Sequence, residues 1–543
     1  MQIQTIQTTP YTDQKPGTSG LRKKTKVFLE KEHYLQNFIQ SIFDVIDVKE
    51  KRLVVGGDGR YFNEEAIQII LKMAIANEAL EVIVGQNGFM STPAVSVEIR
   101  QNKTDGGIIL SASHNPGGID GDFGIKYDGA NGAPAPESIT NAIYQKTLNI
   151  DSYKIAEMPN IDLSEIKTFS VHNTLIKIIN PVANYANLME QLFDFNAIRN
   201  LFKSGFKMHY DALHAITGPY AKEILENRLG APAGTVVNGT PLPDFGGGHP
   251  DPNLTYAKEL VDVMYSDNAP DMGAASDGDG DRNMVLGNHF FVNPSDSIAI
   301  LADNADVTLG YAGKVNGVAR SMPTSKALDK VAEVKKMDAY EVPTGWKFFA
   351  NLMDDNRIVF CGEESFGAGS NHIREKDGLW AVLFWLNILA VRKMSVEDVV
   401  KDFWNKYGRY YYSRYDYEGV DADGAKQMMD ELNEKLPTLK DVSVNGLTIE
   451  NADVFDYVDP VTQEISTNQG IRITFTSGER VIFRTSGTGT QGATIRIYLE
   501  KYISDKNALF EDAQDVLAQL VETALQISRL PELTGRKEPS VIT

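Results

Sequence analysis

The run Asp277-Gly278-Asp279-Gly280-Asp281-Arg282 sets carboxylates at alternate positions in a loop that its glycines leave free to bend. Carboxylates so spaced converge on one hard cation, and without a cation they repel one another. An EF-hand loop is the obvious competitor, but it needs glycine at its sixth position and an acidic residue at its twelfth. Here those positions hold Arg282 and Asn288. So few carboxylates leave coordination open for a substrate oxygen, which suits Mg²⁺ facing a phosphate. Arg282 adds a charge able to steady a transferring phosphoryl group.

Other loops carry complementary chemistry. Ser113 lies in Ser111-Ala112-Ser113-His114-Asn115-Pro116-Gly117-Gly118. A serine hydroxyl needs a base or a charged partner to act as a nucleophile; His114 follows directly, and Lys126 stands a little further on. Pro116 and the glycine pair force a tight turn, expected to present Ser113 outward. The tripeptide alone reads as readily as a turn whose serine caps a helix, and it is not the G-x-S-x-G elbow of hydrolases. In Gly362-Glu363-Glu364-Ser365, extended backbone turns Glu363 and Ser365 to one side. A carboxylate beside a hydroxyl can clamp vicinal sugar hydroxyls, and Arg374 and Lys376 nearby supply cations for a sugar phosphate. The run Arg484-Thr485-Ser486-Gly487-Thr488-Gly489-Thr490 offers hydroxyls and backbone amides that bind anions without net charge. Arg484 and Arg496 can clamp the same group; no Gly-Lys-Ser/Thr closes the run, so it is not a P-loop.

These loops need a scaffold, and the chain repeats one. A strand over 51–56, a helix over 63–80, a strand over 81–85 and a strand over 107–111 run into the Ser113 loop. The order returns as a strand over 206–211, a helix over 219–229 and strands over 235–238 and 272–276, running into the aspartate loop. It returns again as a strand over 317–322, a helix over 324–335 and strands over 339–342 and 357–361, running into Glu363. Ligands gather at such strand ends in α/β sheets. From 409 onward the texture alternates, with strands over 470–476 and 480–484 and a terminal helix over 512–529.

The chain has 543 residues, room for about four domains. Its net charge, 53 − 73 = −20, opposes binding to a phosphate backbone and excludes nucleic acid as a partner. Any phosphate site must therefore be a local basic or amide-lined pocket. One cysteine, Cys361, excludes a disulfide framework and points to a reducing compartment. The apolar run 379–391 is 13 residues long and interrupted by Asn387; a membrane span needs about 20, so a buried core helix is expected. The first residues lack the basic start and apolar run of a signal peptide, so a cytoplasmic location is expected.

Together with Lys15-Pro16-Gly17-Thr18-Ser19-Gly20-Leu21-Arg22, these loops resemble the α-D-phosphohexomutase superfamily over nearly the whole chain. The wording of the Ser113 loop, of Thr344-Gly345-Trp346 and of the 362–378 segment is closest to glucose-specific members. The resemblance implies an α/β fold of four domains around a central cleft: three related α/β mixed-sheet units and a C-terminal α+β domain of the TATA-binding-protein-like type. On the motif positions the domains fall at 1–188, 189–303, 304–408 and 409–543. Ser113 is then the phosphoserine, and Asp277, Asp279 and Asp281 hold one Mg²⁺ together with a phosphoserine oxygen. Arg22, His114, Lys126, Arg282 and Lys376 become active-site groups, with proton transfer shared among Lys126, His114 and Lys376. Thr344, Gly345, Trp346, Glu363 and Ser365 meet the sugar, and Arg484, Ser486, Gly487, Thr488 and Arg496 hold the distal phosphate. The implied reaction interconverts glucose 1-phosphate and glucose 6-phosphate through glucose 1,6-bisphosphate, in a monomer or weak dimer with a small phosphosugar as its partner and no membrane. Three alternatives stay open: broader glucose and mannose specificity, a secretion-associated homologue like the ciliate parafusin, and a haloacid-type phosphatase with Asp277 as nucleophile.

Overall fold

In the computed structural model, which describes residues 2–17, 19–486 and 492–543, continuous apolar runs make the centre of the first sheet. Val54 packs into one core while Leu53 and Val55 pack into another on the opposite face. Strands covered on both faces carry such runs and pair in parallel. Glu81–Phe89, Arg52–Gly57 and Gly106–Leu110 lie parallel, and Asp122–Gly129 closes the set antiparallel. The same order recurs in Val236–Val237, Met208–Asp211 and Met272–Ser276 with Asn283–Gly287 antiparallel. It recurs once more in Asp338–Val342, Gly317–Ser321 and Phe360–Gly362 with Ala368–Ser370 antiparallel. In each unit the link from the last parallel strand to the antiparallel one is a loop with chemistry in it: residues 111–121, 277–282 and 363–367. The first sheet grows to seven strands, with Leu21–Lys24 at one edge and Thr174–Ile179 and Lys167–Val171 at the other. The edge strand brings Arg22 opposite Gly124.

The fourth domain is an antiparallel sheet of seven strands backed by the helices Ala422–Leu439 and Ala513–Ser528. Asp512 caps the second helix by accepting from Gln514 N at 2.8 Å. The domain is fastened to the loop after Gly317–Ser321: Arg480 donates to the carbonyls of Met322 (3.0 Å) and Thr324 (2.8 Å), and Tyr412 OH to that of Pro323 (2.7 Å).

Three helices differ from their expected spans; the one expected over 324–335 begins at Ala327. The helix expected over 63–80 is Asn63–Ala76, because Asn77 Nδ2 turns back onto Met73 O at 2.8 Å and Glu78 takes a left-handed φ of 61°. The helix expected over 219–229 is a short α turn, Thr217–Ala221, continued as a π-helix over Lys222–Arg228.

The apolar run 379–391 forms the helix Gly378–Arg392, buried on all sides from Gly378 to Leu389. Asn387 sits in that interior for a reason: it accepts from Asp194 N at 2.7 Å and donates to Val307 O at 2.9 Å. Asn387→Leu leaves both backbone groups unpaired, and such groups cost about 1–3 kcal/mol each. The expected result is a loss of about 2–4 kcal/mol in urea unfolding with kcat unchanged, since the residue lies about three helical turns from the cleft.

Candidate active site

The Ser113 loop is held from behind by a buried network. Arg60 pairs with Asp58 (2.8 Å) and donates to the carbonyls of Ser113 (2.8 Å) and Asp122 (2.7 Å). Ser111 Oγ donates to Asp58 at 2.7 Å and accepts from Ser113 N at 2.8 Å. These bonds keep Ser113 at a φ of 52°, a left-handed conformation that non-glycine residues hold only where surroundings impose it. The outward presentation expected from the tight turn is not what forms. Ser113 is buried, and its Oγ donates to Asp277 Oδ2 at 2.7 Å. Two glycines permit this approach of first domain to second: a Cβ on Gly278 would strike Ser113 O, and one on Gly117 would meet Pro243 O at 2.7 Å.

The three aspartates bring carboxylate oxygens within 4.8 Å of one another, all buried. Asp279 Oδ2 accepts from Lys126 Nζ (2.6 Å) and Thr92 Oγ1 (2.5 Å), and Asp281 Oδ2 faces Lys376 Nζ (3.3 Å). Among the described residues, the buried Asp279 Oδ1 and Asp281 Oδ1 have no hydrogen-bond partner. An all-oxygen donor set with unsatisfied carboxylate oxygens fits a hard divalent cation. Burial, followed by the charges of Asp281 and Asp279, pushes the Asp277 carboxyl well up. Burial acts the same way on Asp279, but Lys126 outweighs it and holds that carboxyl low. Burial would lower Lys126, and Asp279 with Asp281 reverse the sign and keep it charged. His114 Nδ1 stands 3.5 Å from Ser113 Oγ. Burial and then the cations Arg282 and Arg22 push its pKa well down, so its ring is neutral.

A cleft opens in front of these groups, lined from all four domains. Arg22, Ser113, His114, Lys126, Arg282, Thr344, Gly345, Trp346, Glu363, Ser365, Lys376, Arg484 and Arg496 all line it. Glu363 accepts from Gly345 N at 3.1 Å, and its other oxygen lies 3.5 Å from Ser365 Oγ. Burial raises the Glu363 carboxyl, with Lys376 opposing. Thr344 Oγ1 and Trp346 Nε1 are buried and have no hydrogen-bond partner among the described residues. Arg484 is steadied by Gln469 O (3.2 Å) and Tyr498 OH (3.3 Å), and Arg496 by Asp416 (3.5 Å).

Known proteins match this arrangement throughout. Models of the phosphoglucomutase/phosphomannomutase alpha/beta/alpha domains I, II and III match residues 13–154, 183–289 and 293–407, and a phosphoglucomutase-1 C-terminal domain model matches 409–540. The chain belongs to the phosphoglucomutase/phosphomannomutase family. It is 58% identical to a phosphoglucomutase of Rhizobium radiobacter, covering 100% of both chains. It is 54% identical to a chloroplastic phosphoglucomutase of Arabidopsis thaliana, covering 100% of this chain and 89% of that one. A crystal structure of the Paramecium exocytosis-sensitive phosphoprotein pp63/parafusin, a phosphoglucomutase in its open form, superposes with a TM-score of 0.91 at 48% identity, covering 100% of this chain and 99% of that one.

Within this member of the phosphoglucomutase/phosphomannomutase family, the cleft unites nearly every group named from the motifs. Gly487 and Thr488 lie outside the described residues, as does the side chain of Ser486. Arg374 is a correction. Its guanidinium is buried on Asp354 (2.6 Å) and the carbonyls of Asn371 and Ile373, so it braces the loop instead of facing substrate. Sequence reasoning missed Asp58 and Arg60, although Gly-Gly-Asp-Gly-Arg directly after a strand was a usable signal. It also missed Asp128 and Glu375, buried acids in the cleft wall. Burial lifts Asp128 to about 7, and burial with Asp128 lifts Glu375 well up.

Proposed function

We propose that this family member is a phosphoglucomutase that interconverts glucose 1-phosphate and glucose 6-phosphate through a phosphoserine at Ser113. The observation that carries the reading is Ser113 Oγ lying 2.7 Å from Asp277 in a buried acidic triad, beside a cavity that Arg484 and Arg496 also line. Asp277, Asp279 and Asp281 would hold one Mg²⁺, which supplies positive charge to the phosphoryl oxygens when bound.

The chain's own groups then divide the work. The phosphoryl group leaves Ser113 Oγ as a new bond forms to a sugar hydroxyl, giving glucose 1,6-bisphosphate. The hydroxyl proton passes to a base, His114 or Lys376, while Lys126, kept charged by Asp279 and Asp281, can return a proton to the departing Ser113 oxygen. Neutral His114 beside Ser113 Oγ is ready to accept one. Arg22 and Arg282 face charge on the transferring oxygens, where preorganised cations stabilise the transition state most. Glu363 and Ser365 hold the sugar hydroxyls, Thr344, Gly345 and Trp346 border them, and Arg484 and Arg496 with the 486–488 segment receive the distal phosphate. The bisphosphate reorients, and Ser113 recovers the other phosphate. Closure of the fourth domain excludes water, which would otherwise hydrolyse the phosphoenzyme.

The phosphatase reading is disfavoured by the same geometry. That reading gives no role to Ser113 or to Arg484 and Arg496, which line the same cleft. Sugar preference is checked by comparing kcat/KM for glucose 1-phosphate and mannose 1-phosphate. The expected ratio favours glucose by about 10-fold or more, and equal values would overturn glucose specificity. A cytoplasmic location belongs to the same proposal. Among the described residues no single helix is long and apolar enough to cross a membrane.

A further inference from the structure

Between the strand Ala368–Ser370 and the helix Gly378–Arg392 runs the segment that carries Glu375 and Lys376 into the cleft. Its two ends are tied together by a side chain in between. His372 Nδ1 lies 2.7 Å from Ser370 Oγ, and His372 Nε2 lies 3.0 Å from Asp377 Oδ2. All three side chains are buried, and the imidazole stacks on Trp380 with centroids 5.4 Å apart. The spacing resembles a Ser-His-Asp nucleophilic set, but with no face open to a substrate it does other work.

The hydrogen-bond directions determine the protonation pattern. Trp380 Nε1 has only a proton to give, and it donates to Tyr311 OH at 2.8 Å. Ser370 Oγ lies 2.6 Å from Tyr311 OH, and the pattern that leaves neither hydroxyl proton without an acceptor has Tyr311 donating to Ser370. Ser370 in turn donates to His372 Nδ1, which leaves the imidazole proton on Nε2 to meet the Asp377 carboxylate. Asp377 also accepts from Tyr185 OH (2.6 Å) and from Trp380 N (3.1 Å), where it caps the helix. Every donor has an acceptor in this one-way chain, and only the Nε2–H tautomer satisfies it. Asp377 N and Gly378 N extend the hold to Ala368 O (2.8 Å) and to Gly280 O (3.0 Å) in the aspartate loop.

We propose that His372 is a positioning residue for phosphoryl transfer: as the neutral Nε2–H tautomer it staples Ser370 to Asp377 and so holds the ammonium of Lys376 against Asp281. The inference rests on the reading above that Lys376 serves the transfer. It is tested by a double-mutant cycle. Lys376→Met should lower kcat on its own. His372→Met should lower kcat about 10-fold or more with KM moving less than about 3-fold, the scale typical of residues that orient active-site groups. In the Lys376→Met background the His372 change should cost less than about 3-fold, because the group it acts through is gone. Tyr311→Phe, which removes one hydroxyl and keeps the ring, gives a milder break in the chain and should show the same pattern. Nitrogen-15 spectra of histidine-labelled enzyme should show one imidazole protonated at Nε2 and bare at Nδ1, absent from the His372→Met spectrum. Full additivity of the two substitutions overturns the inference and leaves the proposed function standing, as does a His372 proton on Nδ1. An unchanged kcat for Lys376→Met removes Lys376 from the mechanism, and the inference falls with it.

Discussion

Ser113→Ala is expected to eliminate both the phosphoryl adduct and turnover, with kcat falling about 10⁴-fold or more. The fold should survive the change. The loop's geometry is set by Arg60, Asp58 and Ser111 acting on backbone atoms of residue 113, and none of these bonds uses the Ser113 hydroxyl. The left-handed φ costs alanine about as much as serine, on the order of 1 kcal/mol. The loss would therefore be chemical. Among the described residues, the nearby hydroxyl of Ser111 is already committed to Asp58 and buried behind the loop, so it offers no substitute nucleophile. Intact mass before and after incubation with sugar phosphate reads the adduct directly, and coupled turnover reads the rate. An adduct that persists in the variant would move the nucleophile elsewhere, with Asp277 the first candidate.

What could be read in advance was governed by range. The three-fold repeat was legible because each unit needs runs such as Leu53-Val54-Val55 and Ile108-Ile109-Leu110, and an apolar run is a local signal. The aspartate triad was legible because its members sit in one loop. The direction of Ser113 was not. It depends on a positive φ and on the approach of the loop around Gly278 from another sheet, and neither is written in the residues around Ser113. Arg374 was misassigned for a related reason. A cation two residues from Lys376 looks equivalent in sequence, but Asp354 from a different helix claims it. Asp128 gave no signal at all, because a carboxylate on an otherwise ordinary strand declares itself only when the fold buries it in the cleft wall with Glu375.

Removal of divalent cations should lower turnover about 100-fold or more, with Mg²⁺ restoring it. The reason lies in how the cluster balances its charge without a cation. Lys126 is held on Asp279 and Asp281, Lys376 is held on Asp281, and Asp277 accepts a hydrogen bond from the Ser113 hydroxyl. In that arrangement the cations that should face the phosphoryl group are occupied by carboxylates. Two buried carboxylate oxygens still lack partners among the described residues, so the lysines do not saturate the site. The sign of the pH dependence follows. Burial, with Asp281 and Asp279, raises the Asp277 carboxyl, so its protonated form competes with a cation for the same oxygens. Cation binding must displace that proton. The Mg²⁺ concentration for half-maximal activity should therefore rise as pH falls, and calorimetry in buffers of different ionisation enthalpy should count protons released on binding. Asp279→Asn and Asp281→Asn should each weaken Mg²⁺ binding while leaving the fold intact, since each retains the shape of the carboxylate. Full turnover after exhaustive chelation, or a cation affinity that ignores pH, would show that the triad serves only to anchor Lys126 and Lys376.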